Sequence, residues 1–312
     1  MHRNKAVAFR KRSSFKPRRF NWQLFIMTLP GLVWLGAFMY APMYGVLIAF
    51  KNYMPKLGIM GSPWADPLFK YFQQFFSTNI AGNVIANTLK LSGYSILFTF
   101  LPPVVFALQL NQVRNPRIKK AVQTISYAPY FVSTVVVVGI LNSILSAKGF
   151  VNSLLGTMNL GPYLFMSRPE YFRTIYILSG LWSTFGFSSI IYVAALTGID
   201  PVFYEAAQID GATRMQCIRY IDIPHIMPTV VIMLILSVSS VMTIGYEKVY
   251  LMQSGINTSV SEVISTYVYK VGLQSAQFSY ATAIGLFNSI VNFVLIILTN
   301  GLSKRVTKIG IF

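Results

Sequence analysis

Residues 198–228 read GIDPVFYEAAQIDGATRMQCIRYIDIPHIMP and connect two long apolar runs. Asp200 can cap a helix whose first residue is Pro201, because proline lacks the amide hydrogen that would be unpaired at that position anyway. Asp210 and Gly211 then end this helix, since glycine adopts a positive φ at little cost. The pattern predicts a short helix followed by a tight turn.

A second short helix is predicted from Thr213 to about Tyr220. Pro224 and Pro228 set the junction with the next apolar run. Small residues surround the predicted turn, so another surface could approach it closely. The whole connection, residues 199–225, is therefore expected to form a compact helix, turn, helix protrusion, unless it is an ordinary capped loop.

The rest of the chain is too apolar for a water-soluble globule. Of its 312 residues, 54% are hydrophobic and only 11% are charged, whereas charged residues make up about a quarter of a typical soluble domain. A helix of about 20 apolar residues crosses a bilayer. The sequence predicts an all-α membrane protein with six transmembrane helices, over residues 22–50, 83–113, 121–147, 174–199, 226–246 and 279–303.

The uncharged segment 149–167 is a further apolar stretch. It contains the helix-breaking pair Gly161 and Pro162, and helix-breaking residues argue against a continuous span. We therefore expect an interfacial or re-entrant segment here.

Basic residues are concentrated beside the apolar runs and give a net charge of +18. They cluster in a basic N-terminal segment (1–20), in the connection 114–120 and in the tail 304–312, which fall on one side of the membrane if the spans alternate. The positive-inside rule then places both termini in the cytoplasm. This clustering predicts membrane orientation and contact with lipid, and no nucleic-acid binding. No cleavable signal peptide is evident.

Few residues are available for catalysis or metal binding. The chain has one cysteine, Cys217, and two histidines, so we expect no disulfide and no metal site. It has no phosphate-binding loop of the G-x-x-x-x-G-K-[ST] type. An ion-coupled transporter usually needs carboxylates within the membrane, but the eight acidic residues are predicted in connections or at membrane borders. A membrane enzyme is disfavoured for the same lack of clustered reactive groups.

The connection 199–225 resembles a known motif. Glu205-Ala-Ala, Asp210-Gly-Ala and Ile223-Pro-x-x-x-Pro228 together look like the EAA motif of ABC importer permeases, with Ile-Pro where Leu-Pro is commoner. The resemblance implies the MetI-like fold of type I importers. It also implies that this connection is the coupling helix that enters a cleft on the ATPase, a role carried over to Glu205, Ala206, Ala207, Asp210 and Gly211.

The resemblance extends over nearly the whole chain. Segments 40–51, 87–89, 110–114, 122–129, 266–274 and 277–288 look like the sugar-permease class, and within it the polysaccharide-type, LplB-like branch. It implies a bacterial cytoplasmic membrane protein that works with a second, different permease, two ATPase subunits that bind ATP and Mg, and an extracytoplasmic solute-binding protein delivering oligosaccharide. A small sugar, a glycerol phosphate or an acidic glycan fragment remains an alternative cargo.

A sugar path needs aromatic faces together with amide or hydroxyl groups. Membrane-embedded residues of these types are Tyr127, Tyr130, Trp182, Phe185, Tyr192, Asn288 and Asn292. Pro129, between the first two, can kink its helix. The two asparagines share a helical face and either contact substrate or bond between helices. Lys90 could face an anionic substrate, extend toward the membrane surface or pair with a carbonyl group.

Overall fold

The computed structural model describes residues 21–307. Apart from an isolated bridge between Lys51 and Trp64, these residues form helices and turns. The basic segment 1–20 and residues 308–312, on which part of the predicted orientation rests, lie outside the described residues.

The chain divides into two compact units, and the boundary lies between Val46 and Leu47. The first, described from Asn21, contains α1 (Trp22–Leu35), a π-helical turn (Gly36–Tyr40) and α2 (Ala41–Met43). The side chain of Asn21 caps α1 by accepting from the amide of Gln23 at 3.1 Å. No residue of α1 is buried, as expected for an apolar helix that contacts lipid or a partner.

The second unit holds the remaining helices. They are α3 (Gly58–Gly61), α4 (Lys70–Phe76), α5 (Asn79–Thr99), α6 (Leu101–Asn111), α7 (Pro116–Tyr127), α8 (Thr134–Ile144), α9 (Phe150–Thr157), α10 (Pro169–Ser188), α11 (Ile190–Thr197), α12 (Pro201–Ile209), α13 (Arg214–Cys217), α14 (Ile223–Ser239), α15 (Tyr246–Met252), α16 (Thr258–Ser261), α17 (Ile264–Tyr269) and α18 (Phe278–Thr307). A 3₁₀ segment, Tyr44–Phe50, bridges the two ranges in sequence.

Five helical segments of the described residues are long and apolar enough to cross a membrane, and a sixth candidate is a bent pair of helices. The five are Trp22–Phe50, Asn79–Asn111, Pro169–Thr197, Arg214–Ser239 and Phe278–Arg305. All five overlap predicted spans. Helix α9 has eight residues, too few to cross, in agreement with the expectation for 149–167.

The predicted third span, 121–147, is not one straight helix. Helix α7 and the 3₁₀ turn Ala128–Phe131 meet α8 at a bend of 95°. Pro129 lacks an amide hydrogen, and Ser133 begins the new helix by accepting from the amide of Val136 at 3.4 Å. The break therefore lies just after the proline that the sequence indicated.

The helix that overlaps the predicted fifth span, 226–246, has different bounds from that span. The helix begins at Arg214 and ends at Ser239, and the chain is non-helical until Tyr246. The amide of Asn292 stabilises this break: its Oδ1 accepts from the Met242 amide at 3.0 Å and its Nδ2 donates to Thr243 Oγ1 at 2.6 Å. A distant side chain thus ends the helix within an apolar run.

Buried side chains form three clusters along the second unit. Helix α5 contributes Ala81 and Val84 to the first and Leu91 to the second, and α6 contributes Val104 and Ala107 to the third. The third cluster also contains residues of α11 and α14. Because each of the three clusters contains residues of either α5 or α6, these two helices form the central support of this unit.

Buried polar groups fix the connection after α15 to the bundle. Asn87 donates from Nδ2 to Ser259 O at 2.9 Å and accepts from Arg173 Nη2 at 3.1 Å. Thr88 Oγ1 accepts from the amide of Ile264 at 2.9 Å. These bonds satisfy backbone groups that would be costly to bury unpaired.

Helices α7 and α10 cross at Gly186. A Cβ at this position would collide with the backbone carbonyl of Ser126. Only glycine therefore permits this close approach, which holds α10 beside the bend in the third candidate span.

We expect Gly186→Ala to destabilise the protein by about 1–3 kcal/mol, because a methyl group forced against backbone displaces one helix. Gly139→Ala is the matched control, since a Cβ there meets nothing within 4 Å. The measurement is the thermal unfolding midpoint of the purified protein in detergent. Equal midpoints for the two variants would contradict the close packing at Gly186.

Candidate functional site

The connection 199–225 folds into two helical pieces joined by a turn. The Asp200 side chain accepts from the amide of Val202 at 3.0 Å, and Pro201 occupies the first turn of α12. The predicted cap and helix start are both confirmed. Asp210 follows the last helical residue, and Gly211 has a φ of +75°.

The turn satisfies the carbonyl groups at the end of α12. The amide of Ala212 donates to Ala207 O at 2.8 Å and that of Gly211 to Gln208 O at 3.1 Å, the two bonds of a Schellman motif. Thr213 and Gln216 then form a capping box, with the Thr213 amide donating to Gln216 Oε1 at 2.7 Å. Sequence alone is enough to specify this turn.

The predicted second short helix does not end near Tyr220. Helix α13 continues through a π-helical turn, Ile218–Asp222, into α14, so one helical segment runs from Arg214 to Ser239. The Ile223 amide donates to Ile218 O, five residues earlier. The wider turn accommodates Pro224, which has no amide hydrogen to contribute.

Helix α12 presents most of its surface to the outside. None of its residues is buried; Glu205, Ala206, Asp210 and Gly211 are exposed, and Ala207 is half-buried. Large apolar side chains accompany them, notably Phe203 at 62% and Ile209 at 87% exposure. Sequence reasoning missed these apolar residues, although their position in a short, capped helix between two spans was a usable signal.

The inner side of α12 is held by Tyr204. Its hydroxyl donates to the carboxylate of Asp222, which also accepts from Gln112 Nε2 at 3.0 Å. Asp222 is fully buried. Burial, the hydrogen bond to Asp222 and the negative charge of the Asp222 carboxylate raise the pKa of Tyr204 to about 12. The Tyr204 hydroxyl therefore remains a donor at neutral pH. We name this set of three residues the Tyr204–Asp222–Gln112 latch.

The latch joins three elements that are far apart in sequence: α12, the π turn before α14 and the end of α6. Burying a carboxylate costs several kcal/mol, and each hydrogen bond to it returns about 1.5–3 kcal/mol. The carboxylate is therefore tolerated only while both donors are in place. Sequence reasoning missed Asp222 because it treated all acids as loop or border residues.

Replacing Tyr204 by Phe should loosen α12. Loss of one hydrogen bond to a buried charge, about 1.5 kcal/mol or more, corresponds to about tenfold faster amide exchange in this helix. Tyr220→Phe is the matched control, because Tyr220 is largely exposed. Hydrogen exchange of residues 201–217 measures the effect, and equal rates in both variants would contradict the latch.

A cavity lies beside the bend of the third candidate span. It has a volume of about 470 Å³. Its lining includes hydroxyl, aromatic and cationic side chains, among them Ser95, Thr99, Tyr130, Ser183, Thr184 and Lys248. The Tyr130 ring is fixed by stacking on Phe187, with centroids 3.9 Å apart and planes 4° apart. We call this 470 Å³ cavity the hydroxyl-lined cavity.

A smaller cavity adjoins it. This cavity, about 150 Å³, shares Thr99 and Thr184 with the first and is also lined by Ser188, Tyr192 and Ser237. Tyr192 is otherwise buried among apolar side chains of α6, α11 and α14. Together the two cavities follow one face of α10 and α11.

The other predicted path residues lie elsewhere. Trp182 and Phe185 line a separate apolar groove with Pro102. The Tyr127 hydroxyl accepts from Gln123 Nε2 at 3.3 Å. Asn292 bonds to the non-helical break after α14, and Asn288 has a buried Oδ1 without a partner in the described part of the chain. The structure therefore places Tyr130 and Tyr192 in two adjoining cavities, and the other five residues line neither of them.

Within residues 21–307, no three His, Cys, Asp or Glu side chains are placed to hold a metal ion. Lys90, considered above for an anionic substrate, is exposed on α5 and does not line the two adjoining cavities.

The chain is similar to known transport proteins. Residues 103–308 match the family described as binding-protein-dependent transport system inner membrane component. The polygalacturonan/rhamnogalacturonan transport system permease protein YteP of Bacillus subtilis is 40% identical, over 93% of this chain and 90% of YteP. The protein LplB of the same organism is 38% identical, over 95% of this chain and 92% of LplB.

Solved structures show the same likeness. A subunit of a bacterial ABC transporter involved in the import of the acidic polysaccharide alginate superposes with a TM-score of 0.84 at 40% identity, covering 92% of this chain and 96% of that one. The alginate transporter in complex with an alginate pentasaccharide-bound periplasmic protein gives the same TM-score and identity, covering 93% and 96%.

Proposed function

This chain belongs to the family of binding-protein-dependent transport system inner membrane components, the permease subunits of ABC importers, and we propose that it forms half of a translocation path for oligosaccharides. It is a transporter subunit and not an enzyme. The observation that carries the proposal is the exposed helix–turn–helix of α12 and α13, which leads without interruption into a helix of the bundle.

In this proposal the bent pair α7 and α8 crosses the membrane once, which gives six spans and both termini in the cytoplasm. Two of the connections between spans support this topology. Arg114 of the basic connection and Arg214 of α13 line one cleft beside Tyr204. The basic connection and the EAA-like segment therefore share one end of the bundle, and the positive-inside rule places that end in the cytoplasm.

Labelling with a membrane-impermeant maleimide tests this orientation. In a Cys217→Ala background, Ile209→Cys should react only from the cytoplasmic side, because its side chain is 87% exposed on α12. Met60→Cys, also exposed and placed between the first two candidate spans, is the matched control and should react only from outside. Labelling of both from the same side would overturn the six-span topology.

Helix α12 is suited to entering a cleft on an ATPase subunit. Val202, Ala206 and Ile209 lie along one exposed side, and Glu205 flanks them. Apolar side chains supply contact area, and the glutamate supplies a charge-assisted hydrogen bond. Gly211 keeps the turn small. Closure of two ATPases that bind ATP and Mg then moves α12, and the latch passes the movement to α14 and α6.

The combined substitution Glu205→Ala and Gly211→Asp should uncouple transport from ATP hydrolysis. Loss of a charge-assisted contact of about 1.5 kcal/mol lowers stimulated turnover about tenfold, and the added side chain obstructs the turn. The measurement is ATPase activity of the reconstituted importer, stimulated by the loaded binding protein. Glu170→Ala, at an exposed position of α10, controls for loss of a carboxylate.

Two results decide this experiment. Normal stimulation in the double variant would remove the coupling role from α12. Loss of stimulation in the Glu170→Ala control as well would show that the assay reports general loss of charge instead of coupling.

The proposed cargo is an oligosaccharide delivered by an extracytoplasmic solute-binding protein. Its support is the named substrates of YteP and of the alginate transporter, together with the hydroxyl and aromatic lining around Tyr130 and Tyr192. A second, different permease completes the path. Its contacts are available on exposed apolar helix faces, such as that of α18 with Phe293 and Ile297.

A further inference from the structure

Lys248 is a partly buried cation that has no carboxylate partner among residues 21–307. It lies on α15, just after the break at residues 240–245. Its Nζ donates to Tyr176 O at 2.9 Å and lies 4.6 Å from the centroid of the Tyr176 ring. The ion pair formed among the described residues joins Lys270 to Glu262 instead. Within the described part of the chain, the positive charge is therefore held only by a carbonyl dipole and a ring face.

The wall of the hydroxyl-lined cavity leaves space at this ammonium group. A Cβ on Gly180 would lie 3.2 Å from Lys248 Nζ, so glycine provides the room that the ammonium occupies. An ammonium has three N–H donors, and only one is used by Tyr176. Burial lowers the pKa of Lys248 to about 8, so the group remains largely protonated at pH 7.

Neighbouring hydroxyls are also available for a ligand. Ser183 and Thr184 donate to Ser179 O at 2.5 Å and Gly180 O at 2.9 Å, which leaves their oxygen lone pairs free to accept. Ser95 Oγ, on the same wall, is buried without a partner among the described residues. Buried polar atoms of this kind usually have a partner, and a bound sugar hydroxyl would supply one.

We propose that Lys248 is the residue that selects carboxylated sugars in the hydroxyl-lined cavity, by pairing its ammonium with a uronate carboxylate while Ser95, Ser183 and Thr184 bind ring hydroxyls. The inference rests on the proposed function, because it requires that sugar passes through this cavity. A single cation matches the single negative charge of one uronate. A phosphate monoester carries about −1.5 to −2 and would be only partly neutralised.

Aromatic geometry supports a sugar over a simple carboxylate. Tyr130, stacked on Phe187, presents a fixed ring on the same wall. Sugar rings pack their apolar faces on such rings, while the polar groups of the cavity fix orientation. The cation, the hydroxyls and the aromatic ring together fit a uronic acid better than either a neutral sugar or a small anion.

The test compares two probes on the reconstituted importer: trigalacturonate, and the same trisaccharide with its carboxyl groups reduced to alcohols. Uptake and stimulated ATPase activity are measured for wild type, Lys248→Met and Lys248→Arg with one and the same binding protein. For each variant, the half-saturating concentration of one probe is divided by that of the other, and the result is divided by the wild-type value. The binding protein's own preference for either probe then cancels.

For Lys248→Met we expect about a thirtyfold rise in the half-saturating concentration of trigalacturonate, the loss typical of truncating one partner of a buried charge pair. The half-saturating concentration of the reduced trisaccharide should not change. Lys248→Arg, which keeps the positive charge, should bring the value for trigalacturonate most of the way back to that of wild type. Lys148→Met, at an exposed position, is the control for loss of a positive charge. Co-purification of all subunits of the importer with each variant shows that the assembly is intact.

The outcomes separate this inference from the proposed function. An equal effect of Lys248→Met on both probes, or no effect on either, overturns the role of Lys248 and leaves oligosaccharide import in place. Failure of the wild type to import any saccharide overturns the proposed function, and the inference with it.

Discussion

The break between Ser239 and Tyr246 depends on side chains that satisfy its backbone groups. An unpaired backbone group in an apolar interior costs several kcal/mol, so a helix can end there only with partners in place. Asn292 accepts from the Met242 amide and donates to Thr243, and the Ser92 hydroxyl donates to Val241 O. Because these contacts hold, the chain can turn and place Lys248 beside the hydroxyl-lined cavity.

The same constraint explains which parts of the fold could be predicted. Span lengths follow from apolar runs, and the turn at Gly211 follows from local capping chemistry, so both are readable from neighbouring residues. Pro129 likewise marks its own break. The end of the fifth candidate span is different, since residues 226–246 carry no charge and the deciding side chain, Asn292, is about 50 positions away. No local pattern contains that contact.

Long-range contacts also decided which candidate site residues lie together. Aromatic content pointed to Trp182 and Phe185, but these occupy one face of α10 while Gly180, Ser183 and Thr184 occupy another. The cavity face follows helical spacing: residues 176, 180, 183 and 184 are related by steps of four, three and one. A search for hydroxyls at that spacing could have found it, whereas nothing local identified Asp222 or Lys248.

One helical segment connects the proposed coupling surface with the cavity. Arg214–Ser239 has 26 residues, which at 1.5 Å per residue is about 39 Å long, enough to cross the membrane. Its first part is held to α12 by the latch, and its last residue adjoins the break that precedes α15. Closely packed helices shift as bodies more readily than they deform. In the proposed mechanism, movement of α12 is therefore passed along this segment to the break, and with it to Lys248.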